Sequence, residues 1–446
     1  MNFLHHRERV LLGLAGAFVV AATLALTVAP FARANSWNAL WDVSAGLGLW
    51  VFVVVWLVSA ASAHVVVRRA LPGHDPYLLP LVYLLTGWGV TLIWRLFPDF
   101  GLRQTAWLAM GTAAMLGVVA LPGDLRWLRR YRYTWLIAGL GLTALTFIAG
   151  VNPAGAGQRL WLGGFGVFLQ PAEILKLLLV AFLAAYLADR RELLFADGTG
   201  ERGERKARPY RPYRFPAFPY FLPLLTMWVF SMLILIAQRD LGTSTLFFAA
   251  FLIMLYLASG HGEYVLAGMI LLVLGAAAGY ALFDVVQIRV EAWWNPWADP
   301  TGRSYQIVQS LIALASGGVA GRGPGLGQAA LIPVAHSDFI LAALAEEWGL
   351  LGVIGALASI GLIVLPGLRM ALRARGAFEE LLAAGLAALI GVQALLITGG
   401  VLKVVPLTGV TLPFLSYGGS SLLVHFIMIG LLLKLSSHRP PNFRKP

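Results

Sequence analysis

The sequence predicts an all-α polytopic membrane protein, on three observations. Hydrophobic residues make up 59% of the 446 and charged residues only 12%, about half the charge share of a soluble domain. The apolar residues fall into runs of about 18 or more, the length that crosses a bilayer as a helix. The basic residues lie mostly in short stretches between those runs. A mean hydropathy of +0.78 excludes a soluble enzyme, a disordered chain and a secreted disulfide scaffold. With no cysteine in the chain, thiolate catalysis and Cys-bound zinc are excluded as well.

About twelve spans are expected, each an apolar run bounded by charges or by Pro and Gly. They lie near 9–30, 43–67, 76–97, 103–121, 132–150 and 168–188, then near 218–237, 241–259, 263–284, 339–366, 380–402 and 418–435. The net charge of +12 reports orientation and not a nucleic-acid partner, because 23 of the 33 Lys and Arg fall in alternate connections and the two ends. That bias places both termini in the cytoplasm under the positive-inside rule. A cleaved signal peptide ending at Ala32-Arg33-Ala34 is the competing reading of the start, but an apolar stretch of about 20 residues is long for one. Residues 189–217, charged and Pro-rich, read as a cytoplasmic loop. Residues 285–338 read as a long outer loop, with Trp293, Trp294 and Trp297 and an amphipathic segment from Ser304 suited to the membrane interface. No internal repeat is evident, which weighs against a transporter built from inverted halves.

Ionisable residues within a bilayer are costly and are functional candidates by default. Here they gather at the outer ends of spans. Arg159 precedes the sixth span, and Glu173 and Lys176 share one face of it at i, i+3. Gln238, Arg239 and Asp240 mark a break between spans. His336 and Asp338 stand at the entrance to the tenth, with Glu346 and Glu347 about two turns deeper, and Ser416, Tyr417, Gly418, Gly419 and Ser420 open the last. Cations beside a carboxylate suit a phosphorylated, lipid-linked substrate: the cations hold the phosphates and the carboxylate serves as a general base. Plainer readings stand beside these. Glu173–Lys176 can be a structural ion pair, Arg239–Asp240 a helix cap, His336 an interfacial side chain, and Ser420 with Ser421 a packing surface. Asp338 is the hardest to dismiss, since no basic residue neighbours it in sequence.

Five stretches in this order resemble the SEDS family of RodA- and FtsW-like proteins: GQRLWLGGFGVFLQPAEILKLLL from Gly157, AQRDLGTSTLFF from Ala237, SYQIVQSLIALASGGVAGRGPGLG from Ser304, HSDFILAALAEEWGLLG from His336 and PLTGVTLPFLSYGGSSL from Pro406. The resemblance covers about 76–436. It implies a ten-helix core there, preceded by two additional helices over 1–75 and followed by a cytoplasmic tail over 437–446. It implies a peptidoglycan glycosyltransferase of the bacterial cytoplasmic membrane that polymerises lipid II on the outer face with a class B penicillin-binding protein. The family's essential aspartate falls on Asp338, which would accept the proton of the acceptor sugar's 4-hydroxyl. Arg159, Lys176 and Arg239 would neutralise the leaving diphosphate. Gln238, Asp240, His336, Ser416, Gly418, Gly419 and Ser420 would complete the substrate site with Glu173.

A divalent cation, Mg or Mn, would share that task, although no metal-ligand spacing is present. The chain departs from the family pattern in its first two spans, in QRDLG where many members read QPDLG, and in Lys403. The short polar tail favours an elongation role over division. The other function classes to be weighed are a flippase for the lipid-linked precursor and a non-catalytic scaffold for the penicillin-binding protein.

Overall fold

The computed structural model describes residues 2–34, 43–123, 125–153, 155, 158–164, 166–195 and 218–437. Most of the charged loop over 189–217 and the tail beyond 437 lie outside those residues. The chain is a bundle of helices: α1 (Asn2–Ala34), α2 (Val43–Ala70), α3 (Leu78–Leu96), α4 (Pro98–Ala120), the short α5 (Arg126–Arg130) and α6 (Arg132–Ala149). A two-stranded hairpin follows, β1 (Leu162–Gly164) antiparallel to β2 (Val167–Leu169). Then come α7 (Pro171–Phe195), α8 (Phe218–Ala237), α9 (Leu241–Ser259), α10 (Gly262–Leu282), α11 (Asp284–Trp294) and α12 (Tyr305–Gly317). The chain continues through α13 (Ile340–Leu372), α14 (Ala377–Val401) and α15 (Gly419–Ser437).

Each of the twelve expected spans is a helix. Among the described residues ten are long and apolar enough to cross a membrane, so this is a multi-pass membrane protein. The two beyond that number are α4 and α8, the latter a shorter apolar helix over Leu224–Ala237. In α4 the buried face carries Gln104, Thr105, Gly111 and Thr112, small and polar residues that lower its apolarity and let α15 approach. A Cβ on Gly111 would lie 3.2 Å from the Phe426 ring, and one on Gly419 would strike Trp107 at 2.1 Å. Close backbone approach of this kind is how helices associate where no water drives them together.

The core lies around α3, α7, α9 and α14, whose side chains are largely enclosed, whereas only 6% of α10 is buried. Helices α1 and α2 are fastened to this core. Trp56 on α2 donates through Nε1 to the Tyr83 carbonyl of α3 at 2.9 Å. Glu8 of α1 meets His64 at 2.8 Å and His74 at 2.6 Å.

The long connection over 285–338 is more ordered than a loop. It contains α11, and its amphipathic segment becomes α12, whose buried face (Ile307, Ser310, Ala313, Gly317) packs on α13. A Cβ on Gly317 would lie 1.9 Å from the Ala345 carbonyl. Beyond α12 the Gly-rich stretch straps onto a break in α13 at Gly349, which has φ 66°. Arg322 and Gly323 donate to the carbonyls of Glu346 and Glu347 at 2.9 and 3.0 Å, and Leu350 donates to the Gly318 carbonyl at 3.0 Å. The two buried carboxylates are taken up by the same strap. Glu347 accepts from Gly325 N at 3.0 Å, Glu346 accepts from Gln328 N at 2.9 Å, and Arg95 pairs with Glu347 at 3.2 Å. A Cβ at 349 would meet Gly321 N and the Val319 carbonyl at 2.3 Å. Gly349→Val is therefore expected to destabilise the protein by about 2–3 kcal/mol, read as a lower unfolding midpoint in detergent.

Candidate active site

A cavity of about 680 Å³ opens at the end of the bundle where α13 begins. One wall is aromatic. Phe97, Phe100, Trp107, His336 and Tyr417 line it, with the His336 imidazole stacked on Phe100 at 4.3 Å and 17°. Arg239, Asp240 and Arg289 also line the cavity, and the hairpin segment contributes Trp161 and Phe168.

Asp338 sits in the turn just before α13. Its Oδ1 accepts from Ser337 Oγ at 3.0 Å, and the positive charge of Arg289 acts on it. Burial pushes its carboxyl above the usual range, with the Ser337 hydroxyl and Arg289 pulling the other way. A proton-accepting group in that state is neither locked in an ion pair nor fully hydrated. Arg289 is held by its own donation to the Thr408 carbonyl at 3.0 Å. Gly409, φ +76°, allows the two groups to close up: a Cβ there would lie 3.4 Å from Arg289 Nη2 and 3.7 Å from Asp338 Oδ2.

The turn bearing Asp338 is clamped by the segment before α15. Ser416 Oγ donates to the Ser337 carbonyl at 2.6 Å and accepts from Leu412 N at 2.8 Å. Tyr417 N donates to the His336 carbonyl at 2.7 Å. The buried side chain of Gln104 braces this segment from α4, donating to the Ser416 carbonyl and accepting from Gly418 N, both at 3.3 Å. Among the described residues, four non-glycine residues have positive φ: Arg239, Val334, Lys403 and Phe414. Arg239 and Val334 line the cavity, and the other two lie in the stretch that forms its wall. Strain of about 1–3 kcal/mol per residue persists only where the surroundings enforce it, and it concentrates at functional sites.

The expected site residues divide in two. Asp338, Glu173, Arg239, Asp240, His336, Gly418, Gly419 and Ser420 all line the cavity. Lys176 lies beneath it, 1% exposed, pairing with Glu173 and donating to Gln393 Oε1 at 2.9 Å. Gln393 in turn donates to the Thr411 carbonyl at 2.7 Å, so the pair underpins the cavity floor. Gln238 is buried and ties α8 to α6 through the Thr143 carbonyl at 3.0 Å and Thr146 Oγ1 at 2.6 Å. Ser416 acts as the clamp described above. Arg159 is exposed on the chain leading to the hairpin and does not reach the lining.

Asp240 lines the cavity and also caps α9, accepting from Thr243 N at 3.1 Å; burial raises its carboxyl. His336 is more than an interfacial side chain. Burial lowers its imidazole to about 4, so the ring is neutral near pH 7, and its buried Nδ1 has no hydrogen-bond partner among the described residues. Ser420 accepts from Gln170 N at 2.8 Å, which fixes the end of the hairpin to α15. Sequence reasoning missed two cations that line the cavity, Arg289 and Arg103. The first lies on a helix read as loop, and the second opens a span otherwise read as apolar.

Asp99, Glu173, Asp240 and Asp338 put four carboxylates around one cavity, yet no group of three acidic or histidine side chains among the described residues converges to hold a metal ion. No ready-made cage of protein ligands for a metal is present among the described residues.

Comparison with known proteins gives the family and the fold. The FtsW/RodA/SpoVE family model, described as a cell cycle protein, matches residues 94–440. The peptidoglycan glycosyltransferase RodA of Mycobacterium leprae is 38% identical over 452 residues, covering 98% of this chain and 92% of that protein. The RodA of Mycobacterium tuberculosis strain H37Rv is 36% identical, covering 91% and 86%. A chain from a structure of a peptidoglycan synthase complex, described as coordinating polymerization and crosslinking, superposes with a TM-score of 0.65 at 27% identity, covering 81% of this chain and 97% of that one. The crystal structure of the Thermus thermophilus rod shape determining protein RodA gives a TM-score of 0.59 at 25% identity, covering 83% and 98%.

Proposed function

The chain belongs to the FtsW/RodA/SpoVE family as a RodA-like member, and on that premise we propose that it is a peptidoglycan glycosyltransferase that polymerises lipid II in the Asp338 cavity. The observation that carries this reading is that Asp338 and Arg289 line one cavity and both border Gly409, with the Arg289 charge acting on the carboxylate. A base and a fixed cation stand side by side in one cavity, near the end of the bundle. Asp338 takes the proton of the acceptor sugar's 4-hydroxyl as that oxygen attacks the donor's anomeric carbon. The bond from that carbon to the diphosphate breaks, and Arg289 and Arg239 receive the anionic leaving group. The aromatic wall offers flat apolar faces to the sugar rings. A divalent ion that shares the charge would arrive with the diphosphate, as Mg usually does, and no step here is routed through it.

The positive-inside bias supports placing both termini in the cytoplasm and this cavity at the outer face of the cytoplasmic membrane. A class B penicillin-binding protein is the partner this reading assigns, to cross-link the strands the cavity makes. The likeness to a chain from a synthase complex supports it.

Purified protein, co-expressed with such a partner whose transpeptidase serine is disabled, should convert lipid II into a ladder of glycan strands. Transbilayer movement of lipid II with no ladder would favour the flippase reading. A ladder that survives loss of every cavity charge would leave only the scaffold. Arg289→Gln is expected to lower kcat/KM by about ten- to a hundredfold, the worth of one charge-assisted hydrogen bond, with little change in the unfolding midpoint.

A further inference from the structure

At the far end of α13, about 50 Å along the helix from Asp338, a second cavity of about 610 Å³ opens between the ends of α13, α14 and α15. Arg369, Arg373 and Arg375 all line it, and their side chains are exposed. Pro366, Met370 and Leu435 give it an apolar wall. We infer that this cavity binds a phosphate-ester anion, namely the headgroup of an anionic phospholipid.

Orientation in the membrane explains why basic residues lie at this end of the bundle, but not why three guanidiniums face one cavity. Arg369 and Arg373 are one turn apart on the same helix face, and neither forms an ion pair among the described residues. Two carboxylates also line the space and are already engaged. Asp75 accepts from Tyr77 N at 2.9 Å, and Glu379 lies in the first turn of α14, where the helix dipole favours its charge. Three guanidiniums against two carboxylates leave one positive charge, the complement of a single phosphodiester. Planar guanidiniums hold phosphate oxygens in pairs. An acyl chain would lie against the apolar wall of Pro366, Met370 and Leu435. Basic pockets between membrane helices recognise headgroups in this manner.

The test is native mass spectrometry of the full chain equilibrated with phosphatidylglycerol, with phosphatidylcholine, or with phosphatidylglycerol plus glycerol 3-phosphate. The wild type should retain phosphatidylglycerol in preference to phosphatidylcholine. The pair Arg369→Gln and Arg373→Gln should retain about thirtyfold less, given roughly 1 kcal/mol per basic residue. Arg369→Lys with Arg373→Lys should retain an amount between wild type and the Gln pair, because the charge stays while the paired contacts are lost, and an unchanged unfolding midpoint would certify the fold of each variant. Undiminished retention in the Gln pair would overturn the proposal. So would an equal loss from the control pair Arg68→Gln and Arg69→Gln, which is exposed at the end of α2 and lines no part of this cavity. Displacement by glycerol 3-phosphate at matched concentration would assign the site to a soluble phosphate ester and overturn the lipid source.

Discussion

Asp338→Asn is expected to cost about 10²–10⁴ in the rate of glycan polymerisation, the usual worth of a positioned general base. Asparagine keeps the shape and the contact to Ser337 but cannot accept a proton at neutral pH. The pH dependence sharpens this. Burial raises the Asp338 carboxyl above the ordinary carboxylate range, and the base must be ionised to work. Activity should therefore fall about tenfold per pH unit below an inflection that lies higher than a free aspartate would give. Above that inflection the base form is complete and the rate levels. His336, lowered to about 4, stays neutral over most of that range. In Asp338→Asn the residual activity should lose this acid limb; an unchanged limb would assign it to another group.

Lys176→Met is expected to destabilise the protein by about 3–5 kcal/mol, because it leaves the Glu173 carboxylate beneath the cavity without its cation. Lys176 is 1% exposed and Glu173 is 12% exposed, so water replaces little of the lost interaction. Gln393 also loses the Nζ donor that orients its amide toward Thr411. Adding Glu173→Gln removes the stranded charge and should restore more than half of the loss. Unfolding midpoints in detergent decide the matter. A single variant within 1 kcal/mol of wild type, or a double variant worse than the single, would show that the pair is not structural.

The membrane fold was legible in the sequence because apolar runs of sufficient length have few other uses. All twelve expected spans are helices, ten of them long and apolar enough to cross a membrane, and α4 falls short because its small and polar face lowers its apolarity for the sake of packing on α15. The ordered part of 285–338 was less legible. Asp284–Trp294 carries apolar residues at helical spacing, but short amphipathic helices resemble loops when the search is for spans, and Arg289 went unseen with it. Residue types at the site were legible; the directions of their side chains were not. Ser416 and Gln238 are polar residues at the right depth, yet each satisfies backbone carbonyls. Glu346 and Glu347 looked like buried chemistry and instead hold the Gly-rich strap. A sequence states which groups must find partners, and only the packed chain states which partners they find.

The most direct measurement is a glycan-length gel of lipid II polymerisation. Wild type and Asp338→Ala are compared side by side, each co-purified with the penicillin-binding partner and each matched in unfolding midpoint. The account predicts ladders from wild type and none from the folded variant. Equal ladders from both would remove Asp338 from the chemistry and contradict it.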